Sequence, residues 1–107
     1  MTPINDLKNV IEVLEFLSSL VYILEELEKK YPEEPSLLSA LSRYKILFEK
    51  YNECLTAIER GRENAPLEKE LEELLGSSHV EIESLRRAKR WVAFKIKNLT
   101  ENLEDND

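Results

Sequence analysis

Apolar residues near the start of the chain recur three and four positions apart, the spacing of one face of an α-helix. Thr2 can cap the start of this helix, Pro3 is tolerated in its first turn, and Pro32 ends it. The pattern therefore predicts a helix over residues 3–31. On a helical wheel its apolar side chains cover a continuous arc of about 200°. They are Leu7, Val10, Val13, Leu14, Phe16, Leu17, Leu20, Val21, Leu24 and Leu27.

A second stretch of the same period begins at Pro35 and predicts a helix over residues 36–61. Its apolar positions alternate four and three apart without interruption. Gly61, followed by Asn64 and Pro66, marks its end. The apolar positions are Leu37, Leu41, Tyr44, Phe48, Tyr51, Leu55 and Ile58.

Two further helices are predicted in the last part of the chain. A short acidic helix over residues 66–75 begins at Pro66 and is ended by Gly76. Ser78 and Glu81 stand three residues apart, in the order of a capping box, and predict the start of a fourth helix over residues 79–103. The apolar face of this helix consists of Ile82, Leu85, Val92, Ile96, Leu99 and Leu103.

These elements predict an all-α fold in a single domain over residues 1–107. The connection between the first two helices is only about four residues long, so they should lie antiparallel, with the fourth helix returning beside them. The expected architecture is an antiparallel bundle of three long helices, with one short linking helix between the second and third long helices. A chain of 107 residues can remove roughly 65% of its extended surface from water on folding.

The wide apolar arc of the first helix predicts self-association, because two neighbours in a bundle need a narrower apolar stripe. The favoured outcome is a two-fold homodimer. In the alternative, the short helix folds over the excess apolar surface through Leu67, Leu71, Leu74 and Leu75 of the same chain. The residues predicted to mediate self-association are Leu7, Val10, Leu14, Leu17, Val21 and Leu24.

Charge is distributed unevenly along the chain. The net charge is −7, yet residues 86–97 contain six basic residues and no acidic one. One side of the fourth helix combines these cations with two aromatic rings, as a surface for single-stranded nucleic acid would. The residues of this face are Arg86, Arg87, Arg90, Trp91, Phe94 and Lys97.

Two other roles are open for the same face. Its cations can pair with the acidic side chains of the short helix, while Trp91 and Phe94 pack against another helix. The acids concerned are Glu68, Glu70, Glu72 and Glu73. The face can also bind an acidic protein partner.

The sequence contains little that suggests catalysis. One histidine and one cysteine cannot supply the ligands of a zinc site or the imidazoles of a carboxylate di-metal site. Cys54 lies beside the apolar stripe of the second helix, where a buried thiol is expected, and two glycines cannot form a phosphate-binding loop. We expect no enzymatic activity, no cofactor, no metal and no small-molecule substrate.

Composition also bears on location. The longest stretch without charge, Phe16 to Leu24, is too short to cross a bilayer. A lone cysteine cannot form an internal disulfide, which fits a reducing cytoplasm. The absence of glutamine with abundant Glu and Lys is typical of thermophile proteins.

The sequence therefore predicts a non-enzymatic protein–protein interaction module, self-associating through its first helix and acting as an accessory subunit of a larger complex. The alternative is a nucleic-acid-binding accessory protein that uses the basic and aromatic face of the last helix.

Overall fold

A computed structural model describes residues 4–60 and 69–105, with side chains for 7–60 and 69–101. Three helices follow one another: α1 (Ile4–Lys30), α2 (Pro35–Arg60) and α3 (Lys69–Asp105). No strand occurs in these ranges, which confirms the all-α prediction. The predicted caps of the first helix, Thr2 and Pro3, lie outside the described residues, as does Pro66.

The turn between α1 and α2 follows from its local sequence. Tyr31 N–H donates to the Leu27 carbonyl at 2.7 Å, and Glu34 N–H donates to the Tyr31 carbonyl at 3.1 Å. Pro32 fits the second position of such a four-residue turn because its φ is already fixed near −65°. Pro35 then opens α2, where its missing N–H removes no helical bond.

The core consists of apolar side chains spaced three and four residues apart, as in coiled coils. Helix α1 is its centre, because α1 packs extensively against both other helices, whereas α2 and α3 touch each other little. This position explains the wide apolar arc of α1, since a helix between two neighbours buries two flanks. The buried apolar residues of α1 are Val10, Val13, Leu17, Leu20 and Leu24.

Contacts between individual side chains give the register of the helices. Between α1 and α2, Lys45 Nζ lies 3.3 Å from Glu25 Oε1. Between α1 and α3, Lys89 Nζ lies 5.9 Å from the centre of the Phe16 ring. Lys95 Nζ of α3 also lies 3.1 Å from Glu34 Oε2 in the turn after α1.

The predicted break at Gly76 is wrong, because α3 passes through this position and the predicted short helix is continuous with the predicted fourth helix. A glycine inside a helix costs only about 1 kcal/mol relative to alanine. Burial of Leu71 and Leu75 before it and Ile82 after it offsets that cost. Ser78 is buried and donates to the Leu75 carbonyl at 2.7 Å, so it does not cap a new helix.

The molecule is long and thin, measuring 62 × 20 × 16 Å. Helix α3 accounts for most of this length, since its 37 residues span about 55 Å at 1.5 Å per residue. The accessible surface is 7739 Å², compared with roughly 6,200 Å² for a compact monomer of 12.5 kDa. This shape leaves long helical faces available for contact with other molecules.

Candidate interaction surfaces

The first candidate surface is the α1–α3 face, the solvent side of these two helices. A groove runs along it, bordered in part by Phe16, Ile23 and Lys89, and further along by Tyr22 and Ile96. Phe16 and Ile23 are half-buried, while Tyr22 is 67% exposed and Ile96 is 37% exposed. Apolar surface is therefore accessible along the middle of this face.

Contacts across the groove bring α1 and α3 together at two places. Lys89 Nζ of α3 lies 5.9 Å from the centre of the Phe16 ring, and further along the groove Ile96 of α3 lies beside α1 residues between Tyr22 and Lys30.

Charges along the two halves of the α1–α3 face have opposite order. Along α1 the order is positive, negative, positive; along α3 it is negative, positive, negative. The α1 series is Lys8, Glu12, Glu15, Glu26, Lys29 and Lys30, and the α3 series is Glu83, Arg86, Lys89, Arg90, Lys97 and Glu101.

The charges of this face are only loosely engaged within the chain. Among the described side chains, Arg86 pairs with Glu83 at 2.7 Å and Glu26 with Lys29 at 3.5 Å, each one turn away on its own helix. Exposed pairs of this kind contribute only about 0.3–0.5 kcal/mol, so another partner can replace them.

Most residues predicted to mediate self-association lie on the inner side of α1. Val10, Leu17 and Leu24 are fully buried within the single chain, and Leu7, Leu14 and Val21 are half-buried. Among the α1 side chains that the structure describes, the exposed large apolar ones are instead Ile11 and Tyr22. Both lie at the edge of the apolar arc, where the sequence alone does not show which flank is covered.

The predicted basic and aromatic face of the last helix is accessible to solvent. All six of its residues are exposed, with Phe94 at 63% and Trp91 at 38%. At 100° per residue they form one continuous arc of about 140°. Arg86, Arg90 and Lys97 lie on the part of the arc toward the α1–α3 face, Phe94 points away from the core, and Arg87 and Trp91 lie toward the α2 side.

The expected pairing of these cations with acids of a neighbouring short helix is wrong for the described acids. Glu70, Glu72 and Glu73 belong to the same continuous helix, and Glu73 lies thirteen residues before Arg86, about 20 Å along the axis. Within the described ranges, Arg87, Arg90 and Lys97 make no ion pair.

The second candidate surface is the α2–α3 side, where Arg43 and Lys50 of α2 and Arg87 and Trp91 of α3 are exposed. Cys54 Sγ donates to the Leu71 carbonyl at 3.6 Å, and Tyr51 lies near Ser77. This register places Ile46 level with Val80 and the first turn of α2 level with Trp91. Ile46 of α2 is 55% exposed and Val80 of α3 is 59% exposed.

Ionisable groups between α2 and α3 are affected by burial. Desolvation, assisted by the charge of Glu81, raises the pKa of Tyr51 to about 12, although the nearby Ser77 hydroxyl opposes the shift. Burial also raises the pKa of Glu81, while the Arg43 guanidinium acts in the opposite direction. Tyr51 is therefore a neutral core residue, and Glu81 is a partly desolvated carboxylate beside Arg43.

Cys54 and His79 differ in their exposure to solvent. Cys54 is fully buried, its thiol is engaged by the Leu71 carbonyl, and burial raises its pKa, which disfavours the reactive thiolate. His79 is exposed on α3. No group of three His, Cys, Asp or Glu side chains suited to a metal ion occurs among the residues that the structure describes.

No protein-family model matches this sequence, and no curated protein or solved structure was found to be similar to it. Over the described part of the chain, no helix is long and apolar enough to cross a bilayer.

Proposed function

We propose that this protein is a non-enzymatic interaction module that forms a symmetric homodimer through its α1–α3 face. The observation that supports the dimer is the opposite order of charges on the two halves of that face. The proposal includes the antiparallel bundle, with α1 and α3 running in one direction and α2 in the other. Phe16 beside Lys89, and Ile23 near Ile96, agree with that arrangement.

Symmetry explains why the charge order matters. In a two-fold dimer whose axis runs parallel to the helices, α1 of one protomer lies on α3 of its partner at the same level. Glu12 and Glu15 then meet Arg86 and Arg90 of the partner subunit. A two-fold axis across the helices would instead place α1 against α1, with like charges opposed. The charges therefore favour the dimer whose two-fold axis runs parallel to the helices.

The apolar groove and the size of the face support the same geometry. Tyr22, Ile23 and Ile96 would lie between the two rows of ion pairs, giving a central apolar strip with charged borders. Two adjacent helices about 40 Å long and roughly 10 Å apart present about 800 Å², the share that each protomer contributes to a standard interface.

This interface differs from the set of residues predicted from the sequence. Val10, Leu17 and Leu24 remain in the core of each protomer, and the partner subunit covers the opposite side of α1. We also propose a cytoplasmic location, because Cys54 is a buried free thiol. A dimer of this kind can act as an accessory subunit within a larger complex.

The dimer is tested by measuring solution mass with light scattering at tens of micromolar protein. We expect twice the chain mass of 12.5 kDa for the wild type, and the monomer mass for the double variant Glu12→Arg, Glu15→Arg. A matched control, Glu53→Arg with Glu73→Arg, makes the same charge change at exposed positions away from the face and should remain dimeric. A monomeric wild type, or a control that dissociates equally, would refute the proposal.

A further inference from the structure

One side of α3 faces away from the other two helices. Every seventh residue of α3, starting at Leu71, is buried, so the side that packs on the core follows a heptad spacing. These buried residues are Leu71, Ser78, Leu85, Val92 and Leu99. A residue two positions further along lies about 200° around the helix and therefore points to solvent.

The five positions that point to solvent in this way form the outer stripe of α3. In chain order they are Glu73, Val80, Arg87, Phe94 and Glu101, and all are exposed. Charged and apolar residues alternate along the outer stripe at steps of about 10.5 Å, and its charges alternate in sign.

The side chains of the outer stripe are available to a second molecule. Among the side chains that the structure describes, Glu73, Arg87 and Glu101 form no ion pair. Phe94 is 63% exposed, and Trp91, one turn before it, is 38% exposed. An aromatic centre with a cation on one side and an acid on the other is therefore free for contact.

The charge order makes the outer stripe complementary to itself when two copies run antiparallel. Arg87 and Glu101 stand at equal distances from Phe94, on opposite sides of it. A two-fold axis through Phe94 and across the helices sets Arg87 opposite the partner's Glu101, twice, and brings the two Phe94 rings together. Parallel copies in register would oppose like charges instead.

We propose that the outer stripe of α3 pairs with the same stripe of a second copy, antiparallel and centred on Phe94. A nucleic-acid strand suits this stripe less well, because Glu73 and Glu101 stand at its two ends and repel phosphate. In a second copy, by contrast, Glu101 is the partner that Arg87 lacks. Arg87 and Phe94 lie outside the α1–α3 face, so this contact does not depend on the dimer proposed there and can join two such dimers.

The size of the contact sets the concentration at which it forms. Helix α3 ends at Asp105, so copies crossing at Phe94 overlap over about 22 residues, or about 33 Å. With a helix width of roughly 10 Å, each copy contributes about 330 Å², less than half its share of a standard interface. We expect association at hundreds of micromolar protein.

Sedimentation equilibrium from tens to hundreds of micromolar tests the contact. The mean mass of the wild type should rise above that of its low-concentration species, whether that species is a monomer or the proposed dimer. Phe94→Ser and Arg87→Glu should each weaken this association at least tenfold. The double variant Arg87→Glu, Glu101→Arg exchanges the two charges and should restore it relative to Arg87→Glu alone.

Matched controls carry the same kinds of change elsewhere on the surface. Ile46→Ser and Arg60→Glu replace exposed residues of α2 and should associate as the wild type does. Circular dichroism verifies that each variant is folded.

Several results would overturn the proposal. One is a wild-type mass that stays constant up to hundreds of micromolar, and another is a charge-exchanged variant that associates no better than Arg87→Glu. Equal weakening in the controls would also count against it. Binding of an oligothymidylate that quenches Trp91 and is lost in Arg87→Glu would assign the stripe to nucleic acid. A wild type that is monomeric at tens of micromolar, yet associates through Phe94 at higher concentration, would refute the α1–α3 dimer alone.

Discussion

Replacing Gly76 by alanine should stabilise the protein, because Gly76 lies inside α3 and a Cβ there meets no atom within 4 Å. In helix interiors alanine is more favourable than glycine by about 1 kcal/mol of helix propensity. The entropy of unfolding is about 2.1 cal/mol/K per residue, so for 107 residues it is roughly 0.22 kcal/mol/K. The expected gain in Tm is therefore about 4 °C.

The sign of this change decides between a continuous helix and a break. If Gly76 ended a helix in the left-handed conformation, alanine would be strained and would lower the Tm instead. Thermal unfolding of the wild type and of the Gly76→Ala and Gly76→Asn variants, at one protein concentration, distinguishes the two cases by the rank order of Tm. A continuous helix predicts that Ala is most stable, Asn intermediate and Gly least stable. The reverse order would contradict the continuous α3.

Two further predictions concern stability. Leu17→Ala, in the centre of α1, should lower the free energy of unfolding by about 2.7–5 kcal/mol in urea titration. The half-exposed Leu38→Ala serves as control, and similar losses for both would contradict the position of the core. Burial raises the pKa of Glu81, so folding disfavours its ionised form. The free energy of unfolding therefore falls as the pH rises through the range in which the Glu81 carboxyl loses its proton. Glu81→Gln should thus unfold at a higher Tm than the wild type at neutral pH, with no difference at about pH 3, where both side chains are neutral. A lower Tm for the variant at neutral pH would show that the Arg43 interaction dominates instead.

Local signals were sufficient for the first two helices. Pro32 and Pro35 act on their immediate neighbours, and the apolar spacing on either side of them specifies a helix without reference to the rest of the chain. Gly76 is different, because its effect depends on tertiary contacts. Leu75 and Ile82 are buried on either side of it, and that burial outweighs the helix cost of one glycine.

The candidate surfaces were predictable only in part. Exposure of Arg87, Trp91 and Phe94 agrees with the sequence pattern, since a run of cations rarely enters a core. The opposite charge order across the α1–α3 face could not be recognised beforehand, because it requires knowing that two helices far apart in sequence lie side by side. The wide apolar arc of α1 was visible in the sequence, but its cause was not. Its width reflects two neighbours within one chain, which an isolated helical wheel does not show.

The dimer through the α1–α3 face is tested most directly by mixing two oppositely charged variants. One carries Glu12→Arg and Glu15→Arg, and the other carries Arg86→Glu and Arg90→Glu. Each alone presents like charges to its own copy and should be a monomer of 12.5 kDa by light scattering. Mixed in equal amounts they should form a heterodimer of twice that mass, because both helix pairs are then complementary again. A mixture that stays monomeric would contradict the account.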